Sequence, residues 1–258
     1  MITVAAITGN LDYALRHTAS GEQFHFEVAR WYIQTNLAKH LHQLKAAVNA
    51  GAKIIVGPEY FTGSEMFTAT FEQKRELVEP PDGPTAKMLC AFAAEHHVTI
   101  AAAYDMRHGN HIRQTGIIVT PQGNAHYHIK HNRGLPSELP ETLELVDVPD
   151  AKVGILVCSD CQDPKNMLDM TDRGMNLLLL PGAGYYGESY REVNITRALD
   201  QRCPIIYSDD GRAMIVDHQG KVVAESCKRH DMIVARIEVP SRTISRDYWS
   251  YFNDGHDN

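Results

Sequence analysis

Ala151-Lys152-Val153-Gly154-Ile155-Leu156-Val157-Cys158-Ser159-Asp160, followed after Pro164 by Met175-Asn176-Leu177-Leu178-Leu179-Leu180-Pro181, decides how this chain folds. An apolar, β-branched run of strand length ends in a cysteine. A short polar turn, a helix-like segment and a second apolar run closed by proline come next. The pattern is strand, turn, helix, strand, with a thiol at the carboxyl end of the first strand. In open α/β sheets reactive groups collect at such ends, because the strand fixes the residue while the turn leaves its side chain accessible. Cys158 is therefore the candidate nucleophile. Two other readings stand beside it. A cysteine closing an apolar run is often a small buried hydrophobe. Cys158 and Cys161 also have the spacing of a redox dithiol at a strand-to-helix turn, although Asp160 between them opposes thiolate formation. A nucleophilic thiol needs a base and an oxyanion stabiliser from elsewhere in the chain.

Upstream, Ile2 to Ile7 reads as a buried strand, and Leu37, Leu41, Leu44 and Val48 recur at helical spacing from Thr35 to a stop near Gly51. Lys53 to Val56 is a strand ended by Gly57-Pro58, since proline cannot donate to a ladder. That places Glu59 just past a strand's carboxyl end. Asp82-Gly83-Pro84-Thr85 opens a helix with Met88, Leu89, Phe92 and Ala93 as its buried stripe. Val98 to Tyr104 and Ile112 to Val119 are strands, and the turn Pro121-Gln122-Gly123-Asn124 leads into another that ends at Lys130. Alternation puts His126, His128 and Lys130 on one face of it. The two histidines suit metal ligation, but no third ligand accompanies them. A loop from Arg133 to Pro140 carries Glu138, facing inward or solvated.

Downstream, Lys165 to Arg173 and Glu188 to Gln201 read as helices. Pro204 to Ser208, Arg212 to Asp217, Lys221 to Ala224 and Asp231 to Ile237 read as strands, before a polar, aromatic-dotted tail. No linker divides residues 1–258, so a single domain is expected. A net charge of -7 without clustered Lys and Arg argues against a nucleic-acid surface and for a small-molecule partner. Five scattered cysteines make no disulfide framework, which favours the cytoplasm. The amino terminus lacks the pattern of a signal peptide, and no run approaches the ~18 apolar residues of a membrane span, so no membrane partner is expected.

Three strand ends thus carry Glu59, Lys130 and Cys158: a base, a cation and a thiol. With this set in order, the chain resembles the carbon-nitrogen hydrolase family, also called the nitrilase superfamily. Gly57-Pro58-Glu59-Tyr60 is similar to its glutamate motif, Tyr127-His128-Ile129-Lys130 to its lysine motif, and Leu156-Val157-Cys158-Ser159-Asp160 to its cysteine motif. Leu177 to Pro181 and Arg197-Ala198-Leu199-Asp200-Gln201 are similar to two further segments. The resemblance implies a four-layer αββα sandwich with two mixed β-sheets, a Glu-Lys-Cys triad acting on a nonpeptide C-N bond, no metal or organic cofactor, and a homo-oligomer, dimer or higher.

Glu59-Tyr60, a glutamate eight residues after the lysine (Glu138), and Cys158-Ser159-Asp160 before Pro164 look most like the aliphatic amidase branch. This implies substrate-binding roles for Glu138, Tyr60, Ser159 and Tyr185. Lys165 departs from that pattern, as does Cys161-Gln162, which stands where a basic pair is often found. Losing the pair weakens a carbamoyl-amino-acid reading, because a substrate carboxylate wants such a cation. The expected reaction is hydrolysis of a small-molecule amide to acid plus ammonia. The alternatives are a nitrile or N-carbamoyl hydrolase, and a noncatalytic binding or assembly relative.

Overall fold

Each residue of the leucine run meets a different layer from its neighbours. Leu177 and Leu179 pack into one apolar cluster, Leu178 and Leu180 into another, and all four are fully buried. A strand with a period of two and no polar face has to be covered on both sides. The computed structural model, which describes residues 1–9, 25–63, 69–131, 143–183 and 187–241, shows what covers it.

Among the described residues, twelve strands form two six-stranded sheets. The first half of the chain contributes β1 (Ile2–Ile7), α1 (Phe26–Asn49), β2 (Ile54–Val56), α2 (Phe71–Leu77), α3 (Pro84–His96), β3 (Thr99–His108), β4 (His111–Val119) and β5 (Ala125–Ile129). The second half supplies β6 (Leu145–Val148), β7 (Ala151–Ile155), a 3-10 turn over Cys158–Gln162, α4 (Pro164–Asp172), β8 (Leu177–Pro181), α5 (Gly187–Asp200), β9 (Ile205–Ser208), β10 (Ala213–Val216), β11 (Val222–Ser226) and β12 (Met232–Ile237). The sheet orders are β12-β1-β2-β3-β4-β5 and β11-β10-β9-β8-β7-β6. Both follow one plan: an antiparallel edge strand, three parallel strands joined through helices, then two antiparallel strands.

Three apolar clusters define the layers. Val4, Ala6, Ile54, Val56, Ala101 and Ile118 of one sheet meet Val153, Ile155, Leu177, Leu179 and Ile215 of the other. The outer face of the first sheet is covered by Leu44 and Ala47 of α1 and by Leu89, Phe92 and Ala93 of α3. Met167 and Met170 of α4 and Ala198 of α5 cover the outer face of the second. The result is the αββα sandwich expected above. At about 25 cal/mol per Å² of apolar surface removed from water, burial on both faces is the main term holding the layers together.

Two helices differ from the sequence expectation. α1 begins at Phe26 instead of Thr35, because its first turns are not amphipathic in the expected way and leave Val28 and Trp31 exposed. α2 has no buried residue and so no apolar stripe to read; a capping box at Thr70, with Gln73 at the third position, starts it.

Candidate active site

The cysteine strand ends in an unusual backbone. Cys158 has φ of 49°, in the left-handed region that a β-carbon makes costly. Short local bonds over-determine it. The Val157 N–H donates to Asp160 Oδ2 at 3.0 Å, and the Asp160 N–H donates back to the Val157 carbonyl at 3.1 Å. Asn166 Nδ2 donates to the Asp160 carbonyl at 2.8 Å. From α5, the Tyr190 hydroxyl donates to the Cys158 carbonyl at 3.2 Å while accepting from Cys161 Sγ at 3.3 Å. Asp160 is thus turned back into the backbone. Cys161 points into the outer core with Met167 and Met170, whereas Cys158 packs in the other direction with Ala103 and Val157. The two thiols serve different layers, which removes the geometric basis of the dithiol reading.

Glu59 follows β2 on a segment bonded to both sheets. The Glu59 N–H donates to the Gly182 carbonyl at 3.0 Å, and the Phe61 N–H to the Ala103 carbonyl at 3.0 Å. Gly182 leaves room for the Tyr207 ring, which a β-carbon there would meet at 2.7 Å. The Glu59 side chain is 1% exposed. Its carboxylate accepts from Lys130 Nζ at 2.5 Å, and Lys130 Nζ also donates to Gln114 Oε1 at 3.2 Å. The Glu59 carboxyl and the Ala183 backbone N–H both lie near enough to the Cys158 thiol to act on its acidity. The structure therefore brings Glu59, Lys130 and Cys158 together.

Their acidities are tuned by burial and by one another. Burial and then the charge of Glu59 push the Cys158 thiol up to about 12, so it rests protonated. Burial raises the Glu59 carboxyl, against the pull of Lys130, which makes it a stronger base than an exposed carboxylate. Burial alone would lower Lys130, but Glu59 and Cys158 more than reverse that and hold the ammonium above its ordinary value. The cluster pairs a neutral thiol with a carboxylate that can take its proton, beside a fixed cation.

The remaining expected residues fall in several places. Ser159 directly follows Cys158 within the 3-10 turn. Tyr60 packs with Ala29 and Tyr32 in a small cluster on the α1 side. Glu138 and Tyr185 lie outside the described residues. His126, His128 and Lys130 do share a face, and each meets a carboxylate: Glu144 at 3.8 Å, Asp160 at 3.0 Å and Glu59. Among the described residues no group of three His, Cys, Asp or Glu is placed to hold a metal ion. Sequence reasoning missed Gln114, His128 as a partner of Asp160, Tyr190 and the Ala183 N–H. Only Gln114 had a readable signal, being the strand neighbour of Lys130 on the same face.

A family model described as carbon-nitrogen hydrolase matches residues 14–244. Among curated relatives, a citrullinase of Francisella tularensis is 24% identical over 258 aligned positions, covering 85% of this chain and 89% of that protein. A protein of Pseudomonas protegens named as a hydrolase in the pqqF 5' region is 26% identical over 181, covering 66% of this chain and 62% of its own length. Among solved structures, Saccharomyces cerevisiae Nit3, of the nitrilase superfamily, superposes with a TM-score of 0.70 at 18% identity, covering 91% of this chain and 89% of Nit3. An amidase of Nesterenkonia sp. AN1 superposes with a TM-score of 0.65 at 15% identity, covering 92% of this chain and 94% of that one.

Proposed function

Because this chain belongs to the carbon-nitrogen hydrolase family, we propose that it cleaves a small-molecule amide through a Cys158 acyl-thioester, with Glu59 as general base and Lys130 as oxyanion stabiliser. The observation that carries this reading is the Lys130 Nζ to Glu59 contact of 2.5 Å, with the Cys158 thiol near enough for the same carboxyl to act on it. A lone buried thiol at about 12 would be inert. Beside a buried carboxylate it becomes a nucleophile whose proton leaves as the new bond forms.

In this mechanism Cys158 Sγ attacks the carbonyl carbon and its proton passes to Glu59. The carbonyl oxygen takes the electron pair and becomes an oxyanion. Lys130 and a backbone N–H, from Ser159 or Ala183, hold that charge, each donor worth on the order of 3 kcal/mol. The intermediate collapses as Glu59 returns the proton to the leaving nitrogen, releasing ammonia and leaving a thioester. Glu59 then deprotonates a water that attacks the thioester, and collapse gives the acid and the Cys158 thiol. No proton is gained or lost by the enzyme over the cycle.

The aliphatic amidase branch is the proposed affiliation, on the strength of Glu59-Tyr60 and Cys158-Ser159-Asp160. A ureido C-N bond is a second reading, favoured by the citrullinase relative aligned over 85% of the chain. The test is partitioning. With a short primary amide and hydroxylamine present, hydroxamate should accumulate at the expense of acid while ammonia release continues. Release of acid alone, unaffected by hydroxylamine at any concentration, counts against an acyl-enzyme. Carbon dioxide appearing with ammonia from a ureido substrate would favour the second reading.

A further inference from the structure

Strand register builds a row of side chains outward from the nucleophile. Ala103 of β3 packs against Val157 and Cys158. Asp105 lies two residues further along the same strand and so on the same face, about 7 Å on. Asp105 stands opposite Gln114 of β4. The Gln114 carbonyl accepts the Lys130 N–H at 2.9 Å, which sets Lys130 opposite Gln114 in turn. Three adjacent strands therefore present Asp105, Gln114 and Lys130 side by side, the last two joined at 3.2 Å.

Lys130 is already held by Glu59 at 2.5 Å. Among the described residues Asp105 forms no ion pair, although Lys74 and Lys130 act on it as more distant charges. Burial raises its carboxyl in spite of both cations. Gln114 Nε2 is buried and has no partner among the described residues. Asp105 and the Gln114 amide thus lie on the strand face that starts at Cys158, Asp105 about 7 Å along β3 from Ala103.

We propose that Asp105 determines specificity, receiving an ammonium or similar cationic nitrogen at the far end of the substrate, so that the preferred substrates are amides bearing an ω-amino group. This rests on Cys158 and Glu59 being the reacting pair. A substrate cation would add to the distant pull of Lys74 and Lys130 on Asp105, while a substrate carboxylate would meet like charge at the same place.

The experiment compares kcat/KM for 4-aminobutanamide, butanamide and glutaramate in the wild-type protein, Asp105→Asn and Asp105→Lys. The wild type should prefer the amino amide over the carboxylate by at least about tenfold, a modest return for one partly desolvated charge pair. Asp105→Asn should lower the ratio of amino amide to butanamide by a similar factor, mainly through KM. Asp105→Lys should reverse the order of the two charged substrates. Equal changes for all three substrates, or an unchanged ratio, would overturn the proposal. Should the wild type hydrolyse none of them, calorimetric binding to Cys158→Ala separates the two claims. Tighter binding of the amino amide that Asp105→Asn removes supports Asp105 while the hydrolase reading falls. Equal affinity for all three overturns the Asp105 assignment as well.

Discussion

A cysteine in the left-handed region costs on the order of 1–3 kcal/mol, and Cys158 is kept there by bonds to its carbonyl and to its neighbours. The strain turns the thiol away from Cys161 and toward Glu59. Tyr190→Phe removes the hydroxyl that donates to the Cys158 carbonyl and accepts from Cys161. With a hydrogen bond worth about 1 kcal/mol net, kcat should fall about five- to tenfold with KM little changed. Alkylation of Cys158 by iodoacetamide should slow in parallel, whereas a purely structural loss would leave that rate unchanged or raise it. Acidity gives a second prediction at this scale. The base must be ionised, and burial raises Glu59 above its ordinary 4.5, so kcat/KM should fall on acidification with a midpoint above that value. On the alkaline side Cys158 stays protonated up to about 12 and Lys130 is held above 10.5, so the rate should stay level to at least about pH 10. A pH-rate profile measures both limbs. An alkaline fall near pH 8 to 9 would show a thiol of ordinary acidity. At the residue scale Glu59, Lys130 and Cys158 were legible because each closes a strand of marked composition. Tyr190 was not, since only the packing of α5 beneath the turn brings it to Cys158.

α1 does more than cover a sheet. His40 Nδ1 donates to the Phe61 carbonyl at 2.9 Å and its ring stacks on Phe61 at 4.4 Å, which ties the helix to the segment just after Glu59. Burial, partly offset by that hydrogen bond, lowers the His40 ring to about 3. Its unfolded value is 6.5, so between pH 6.5 and about 3 the unfolded chain binds a proton that the folded protein excludes. Stability should therefore fall as pH drops through this window, by up to about 1.4 kcal/mol per unit. Raised carboxyls such as Glu59 have the opposite sign, because the folded protein holds their protons more tightly. Denaturant titrations of wild type and His40→Gln at several pH values separate the two. The wild type should lose more stability on acidification than the variant, and parallel curves would refute the assignment. Most elements were legible in their apolar periods, within a few residues at each end. α2 was hidden because it buries nothing. The early turns of α1 were hidden because Leu37 starts the only regular stripe.

At the scale of the whole molecule the site exists because two similar sheets are stacked with their strand ends together. The Glu59 N–H reaches the Gly182 carbonyl across that stack, and His128 reaches Asp160. Gly116 permits the close approach, since a β-carbon there would sit 2.8 Å from Ile155. The parallel strands within each sheet follow from strand-helix-strand order in the chain. Which sheet each strand joins does not, because β12 returns to pair with β1 over a separation no local pattern records. Only the family resemblance made the four layers expected. All of this assembly converges on one claim, that Cys158 carries the acyl group. The most direct measurement is intact-mass and peptide-mass analysis of protein quenched during turnover of a primary amide. The account predicts a mass gain equal to the amide less ammonia, confined to the peptide containing Cys158 and mapped to Cys158 instead of Cys161, and absent from Cys158→Ala, which should also show no turnover. Turnover persisting in Cys158→Ala, or an adduct on Cys161 in its place, would contradict it.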